Sequence, residues 1–147
     1  MKHKISHPRT LIPDIIFIPA ELREGDEYYV NGIFEFNITR LIGHIKNNSE
    51  TFIPENVSVL EFNNDFSVID EDYIDSVIID EPVILAEIAP GRYNLIDGNH
   101  RMEKAKRLGF KNIMAYKLSP AQHIRFLTSR NSYENYITYW NNKLSEL

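Results

Sequence analysis

Residues 94–101 read Asn-Leu-Ile-Asp-Gly-Asn-His-Arg, and the change of pattern inside them constrains the fold more than any other stretch. An apolar, strand-like run stops at Asp97-Gly98. A helix-like pattern begins at once, with His100 and Arg101 in its first turn. Backbone N–H groups at a helix N terminus, beside a guanidinium, form an anion site. Gly98 allows backbone to approach a ligand closely. Asn99 adds donors, and His100 can donate or exchange a proton. A purely architectural reading uses the same residues: Asp97 caps the helix, Gly98 permits the turn and Arg101 pairs with a carboxylate. Bare physics leaves both readings open.

The flanks set the element order. Pro82 cannot donate a ladder hydrogen bond, so it marks the start of a strand. Val83 to Ile88 is an apolar run suited to a central strand covered on both faces. Ala89-Pro90-Gly91-Arg92 carries turn chemistry, and Tyr93 to Ile96 returns as the second strand of a hairpin. The helix covers Gly98 to Leu108, with Gly109 as a left-handed C-cap and Lys106 and Arg107 at the end that favours positive charge. Asn112 to Leu118 is a third strand. Strand, helix and strand with short joints predict a right-handed parallel crossover. Ser119-Pro120 opens another helix, with Ile124 and Leu127 on its apolar face. A last helix covers Tyr133 to Leu144, and its Tyr133, Ile137, Trp140 and Leu144 form one stripe. The stripe either docks on the core or meets a protein partner or second copy.

Before Pro82 the signals are weaker. Residues 1–13 read as a loose arm and Asp14 to Ile18 as a short strand closed by Pro19. Ala20 to Gly25 is a charged turn, and Tyr28 to Val30 a short extended segment. Asn37 caps a helix whose Ile38, Leu41, Ile42 and Ile45 recur at helical spacing and which ends near Asn47-Asn48. Val57 to Phe62 is extended. Asp70 caps an acidic turn or short helix running to Val77.

With successive residues about 100° apart around the helix, Met102, Ala105, Leu108 and Gly109 gather on the side facing the sheet. Arg101 falls at the edge of that side and His100 nearly opposite, with Lys104 and Arg107 extending the His100 side as a basic strip. An arginine near a core face needs a carboxylate or a bound anion to offset desolvation. Asp97 and Glu87 are the internal candidates.

Composition removes whole classes of chemistry. The chain has no cysteine, which excludes disulfides, thiolate catalysis and cysteine metal sites and suits a cytoplasmic protein. The net charge of −5 disfavours general nucleic-acid binding. The apolar run Leu11 to Ile18 is broken by Pro13 and Asp14, so neither a signal peptide nor a membrane span is expected. His3 and His7 are spaced by four, but Pro8 undercuts a helical metal pair. His44 reads as a boundary residue. The acidic cluster of Asp70, Glu71, Asp72, Asp75, Asp80 and Glu81 lacks calcium-loop spacing and reads as a solvated face.

Pro82-Val83-Ile84, then Asp97-Gly98-Asn99-His100-Arg101, Ala105, Leu108-Gly109 and a closing strand resemble the ParB/sulfiredoxin superfamily. Ile18-Pro19-Ala20-Glu21-Leu22 is similar to that superfamily's opening strand. The resemblance implies an α+β domain over residues 14–118, a mixed β-sheet with peripheral helices; the C-terminal helices over 119–147 are expected, from their apolar stripe, to pack on the same domain. Sulfiredoxins carry a cysteine where this chain has Asn99, so sulfiredoxin chemistry is excluded. The free serine kinases carry Asp-Gly-His-His-Arg at this junction, and four of the five residues match. That likeness implies nucleotide phosphate binding by Gly98, Asn99, His100 and Arg101, with Asp97 and His100 in catalytic roles. It also implies a base from the N-terminal half, for which Glu21 and Glu35 are candidates. The implied ligands are ATP, ADP or CTP with Mg²⁺ and a small-molecule acceptor. Partition ParB proteins bind CTP through a related box, but the residues after Leu118 are too few for their whole DNA-binding domain. The expected function is a phosphotransferase or nucleoside triphosphatase. The alternative is a non-catalytic, nucleotide-responsive interaction module or a partition-like, DNA-associated one.

Overall fold

The computed structural model describes residues 7–62 and 70–147; His3 and the first six residues of the expected arm lie outside them. The chain is α+β. Its centre is a four-stranded sheet in the order β3 (Glu55–Ser58), β6 (Asn112–Leu118), β4 (Val83–Ala89), β5 (Arg92–Asp97). β4 is the buried central strand that its apolar run predicts. Val83 and Leu85 face one side, where they meet Met102 and Ala105; Ile84 and Ala86 face the other, where they meet Tyr136 and Trp140. Period-two alternation in a wholly apolar strand thus feeds two cores. Fully burying a side chain such as Met102 or Leu85 contributes about 1.5–3 kcal/mol.

β4 and β5 form the expected antiparallel hairpin. The parallel pairing differs from a simple crossover. β6 runs parallel to β4, with Val83 opposite Ala115 and Ala86 opposite Leu118. β5, which leads directly into the following helix α3 (Asn99–Arg107), runs opposite to both. Because the tight hairpin places β5 at the sheet edge, α3 carries the chain back across β4 to its free side.

Met102 and Ala105 anchor α3 on the sheet as expected, but Leu108 is 57% exposed. The helix closes one residue earlier. Gly109, at φ +77°, turns the chain so that its N–H donates to the Lys106 carbonyl, while the Phe110 N–H donates to that of Ala105. This is the left-handed glycine cap, and it swings Leu108 away from the sheet.

On the opposite face of the sheet lie α1 (Ile38–Asn47), the short α4 (Pro120–His123) and α5 (Arg130–Ser145). Asn37 caps α1 by accepting the Arg40 N–H at 3.1 Å. Ser119 and Gln122 form a capping box at α4, and the chain then tightens into a 3₁₀ turn over Ile124–Phe126 rather than a longer helix. The α5 stripe of Tyr133, Ile137, Trp140 and Leu144 is buried in the protein's own core, so it offers no free partner face. His123 is fully buried beside it. Its Nε2–H and the Tyr136 hydroxyl donate to the Glu87 carbonyl at 2.8 and 2.6 Å. Its Nδ1 is buried without a partner.

A two-stranded ribbon, β1 (Tyr28–Val30) with β2 (Glu35–Asn37), pairs Tyr28 with Asn37 and brings residue 27 against the start of α1. No strand forms at Asp14–Ile18. Asp14 Oδ1 instead accepts the Ile16 N–H, making a turn, and the Phe17 ring stacks on Tyr133 with centroids 3.9 Å apart. No neighbouring strand is available there, so β propensity has nothing to pair with. Residues 7–13 are not a loose arm. Arg9 reaches Glu87 and lies over Trp140, and Asn141 bonds both the N–H and the carbonyl of Leu11. No described helix is long and apolar enough to cross a membrane.

Candidate functional site

The β5–α3 junction opens into a cleft of about 540 Å³, lined in part by Asp97, Gly98, Asn99, His100 and Arg101. The five sequence-predicted residues are therefore brought together. Asp97 ends β5 and Gly98, not Asp97, is the N-cap of α3. Gly98 has φ +103°, and a Cβ built there would lie 2.5 Å from Val83 Cγ1 and 2.9 Å from Arg101 Nη2. A side chain is excluded both by conformation and by space. Gly98 brings no side chain of its own to the α3 N terminus, and the positive end of the α3 dipole lies at the cleft side of the junction.

Arg101 is held where helical geometry puts it, at the edge of the core, with its side chain 14% exposed. It donates to Asp97 at 2.8 Å and to Glu81 at 3.0 Å. Its Nε is buried with no hydrogen-bond partner. The architectural reading is thus right about the Arg101–carboxylate pair and wrong about the helix cap. Glu87 is not Arg101's partner. It is 4% exposed, and its carboxylate accepts from Arg9 and the Gly91 N–H at 2.9 and 2.8 Å.

The His100 side of α3 is covered rather than open. Residues 70–81 lie over it as a strap containing α2 (Glu71–Ile74). Asp70 caps α2, as expected, and donates its own N–H to His100 Nε2 at 3.0 Å. Tyr73 meets the His100 ring edge-on, with centroids 5.0 Å apart. The basic strip is what the strap binds: Lys104 donates to the Asp75 and Val77 carbonyls, and Arg107 grips both oxygens of Glu71. Arg107 holds the Glu71 carboxyl below its ordinary range. Part of the acidic cluster expected to be a solvated face is therefore matched to α3, charge against charge.

Of the two candidate bases, neither reaches the cleft. Glu21 is exposed, and its backbone carbonyl accepts from Asn37. Glu35 accepts the Thr128 hydroxyl at 2.6 Å on a different surface, beside Leu22 and Ser129. The N-terminal glutamate that lines the cleft is Glu27. Its backbone fixes it against α1: the carbonyl accepts the Ile38 N–H at 2.9 Å, and the N–H donates to the Thr39 hydroxyl at 2.7 Å. The Asn31-Gly32 turn signal was the clue available in the sequence, because a hairpin folded there sets residue 27 opposite the α1 start. A second hollow, of about 440 Å³, shares Glu27 and the residues from Asp97 to His100 and adds Asp26, Tyr28 and Tyr29. Asp26 is kept below the usual carboxylate range by the Arg23 N–H and by Asn37.

Elsewhere, His44 is a boundary residue, as expected, edge-on to Phe52; burial and the nearby Arg125 lower its pKa. Among the described residues no three His, Asp or Glu side chains are grouped to hold a metal ion. Comparison with protein-family models, curated proteins and solved structures finds no match to this chain.

Proposed function

We propose that this chain is a ParB/sulfiredoxin-like domain that binds a nucleotide with Mg²⁺ at the β5–α3 junction and transfers or hydrolyses its terminal phosphoryl group. The observation that carries the proposal is the convergence of Asp97, Gly98, His100, Arg101 and Glu27 on one cleft. Its volume lies within the range of about 300–1,000 Å³ common to small-molecule sites.

Each part has a physical task. The α3 N terminus and the Arg101 guanidinium favour phosphate oxygens. Gly98 keeps the backbone there clear of any side chain. Mg²⁺ binds through one or two carboxylates together with phosphate oxygens. Asp97 meets that need without an all-protein metal cage. Mg²⁺ bound with the phosphates would neutralise their developing charge, and the rest of phosphoryl transfer is mainly positioning. Glu27 is the carboxylate suited to take the proton of an acceptor hydroxyl or water. His100 contacts phosphate or carries a proton once Asp70 yields its Nε2.

Calorimetric titration of ATP, ADP and CTP with Mg²⁺ tests the proposal. At least one should bind saturably, and Arg101→Ala should weaken it about 10- to 100-fold, the worth of a charge-assisted contact. No binding by any of the three, with Arg101→Ala behaving like the parent, refutes it. Binding without turnover selects the non-catalytic, nucleotide-responsive module instead.

A further inference from the structure

The two groups of the cleft best suited to a phosphate are both already engaged, and the same strap engages them. Arg101 donates one amino group to Asp97 and the other to Glu81 at 3.0 Å. His100 Nε2 accepts the Asp70 N–H. Glu81 and Asp70 are the two ends of the 70–81 strap. We infer that Glu81 is a built-in competitor for the phosphate subsite, its carboxylate occupying the guanidinium face that a ligand phosphate takes. This inference rests on the nucleotide reading of the cleft.

The two carboxylates on Arg101 differ in what holds them. Asp97 belongs to β5 and its side chain is 22% exposed; Glu81 lies just before Pro82 and its side chain is 63% exposed. Glu81 is therefore the partner that exchanges readily with water. A guanidinium as buried as that of Arg101 needs a compensating anion at all times, and a carboxylate offers the same pair of acceptor oxygens as a phosphate. Glu81 lines the cleft itself, beside Asp97 and Arg101. Ligand entry then exchanges one anion for another and leaves Arg101 paired throughout. The strap need not leave α3 for this to happen. Its own Ile74 and Val77 are buried, Lys104 holds the carbonyls of Asp75 and Val77 in its middle, and Arg107 holds Glu71. Only the Glu81 side chain has to swing into solvent and the His100 ring to turn away from the Asp70 N–H.

The test compares Glu81→Gln with Glu71→Gln in the full chain by calorimetry, using Mg²⁺-ATP and Mg²⁺-pyrophosphate as probes. Both variants change net charge equally, but Glu71 pairs with Arg107, away from the cleft. Glu81→Gln should bind both probes about two- to fivefold more tightly, the worth of an exposed ion pair, and Glu71→Gln should match the parent. An equal gain in both variants would mean a general charge effect and overturns the inference. A loss of affinity in Glu81→Gln also overturns it, because Glu81 would then be helping to hold the ligand. Failure of the parent and both variants to bind either probe would instead strike the nucleotide reading itself. Glu81 is mostly exposed, so its variant should fold, and an unchanged thermal midpoint verifies that.

Discussion

Gly98→Ala should destabilise the protein far more than an ordinary glycine substitution. Two costs add at this position. The backbone sits at φ +103°, and a left-handed conformation costs an L residue about 1–2 kcal/mol. The new Cβ would also lie 2.5 Å from Val83 Cγ1 and 2.9 Å from Val83 Cβ. Val83 is a fully buried residue of the central strand and cannot move without disturbing β4. Overpacking of this kind costs about 1–3 kcal/mol. The sum, about 2–5 kcal/mol, is a large share of the 5–15 kcal/mol that typically separates folded from unfolded states. Gly91 supplies the control. It has φ +75° but nothing within 4 Å of a built Cβ, so Gly91→Ala should carry only the conformational cost of about 1–2 kcal/mol. Urea denaturation followed by circular dichroism measures both. If the two variants lose the same stability, β4 does not press against the junction as described.

Three further expectations concern other parts of the molecule. Burial lowers the His123 pKa from 6.5 to about 4, so the folded state resists its protonation, and stability should fall as pH drops from 6.5 towards 4. Between pH 7 and pH 5 this amounts to about 2 kcal/mol; His44 has the same sign, so the His123 share is the part lost in His123→Gln, and an unchanged urea-midpoint profile in that variant would contradict it. Trp140→Ala should cost about 3–5 kcal/mol and leave the sedimentation coefficient unchanged, whereas a changed association state with little loss of stability would make the α5 stripe a partner face. Glu27→Gln should cut any phosphoryl turnover about 100- to 10,000-fold with nucleotide affinity nearly intact, and full turnover would remove Glu27 from the role of base.

The elements legible in the sequence were those written in local chemistry. Pro82 and the apolar run behind it marked β4, Asn37 marked the α1 start, Ser119-Pro120 marked α4, and Gly109 marked the end of α3. These signals depend on few neighbours, so they survive folding unchanged. Other features depended on partners distant in the chain. Asp14–Ile18 has the composition of a strand but no strand beside it. The arm from His7 to Pro13 is fixed by Glu87, Trp140 and Asn141, far along the chain. At the site, the box from Asp97 to Arg101 converges as its spacing suggests. Its surroundings are not legible there, because helical geometry places His100 opposite the core without revealing that an acidic strap covers it. Glu27 was missed for a related reason: it enters the cleft only after the β1–β2 ribbon folds against α1.

We propose that the α3 N terminus receives a nucleotide phosphate. Proton–nitrogen correlation spectra of the labelled chain, recorded while Mg²⁺-ATP is added, test it most directly. Saturable shifts should concentrate at the amides of Gly98, Asn99, His100 and Arg101, with smaller shifts at Glu27 and at both ends of the 70–81 strap. Spectra unchanged at saturating nucleotide, or shifts confined to a surface away from the β5–α3 junction, would contradict it.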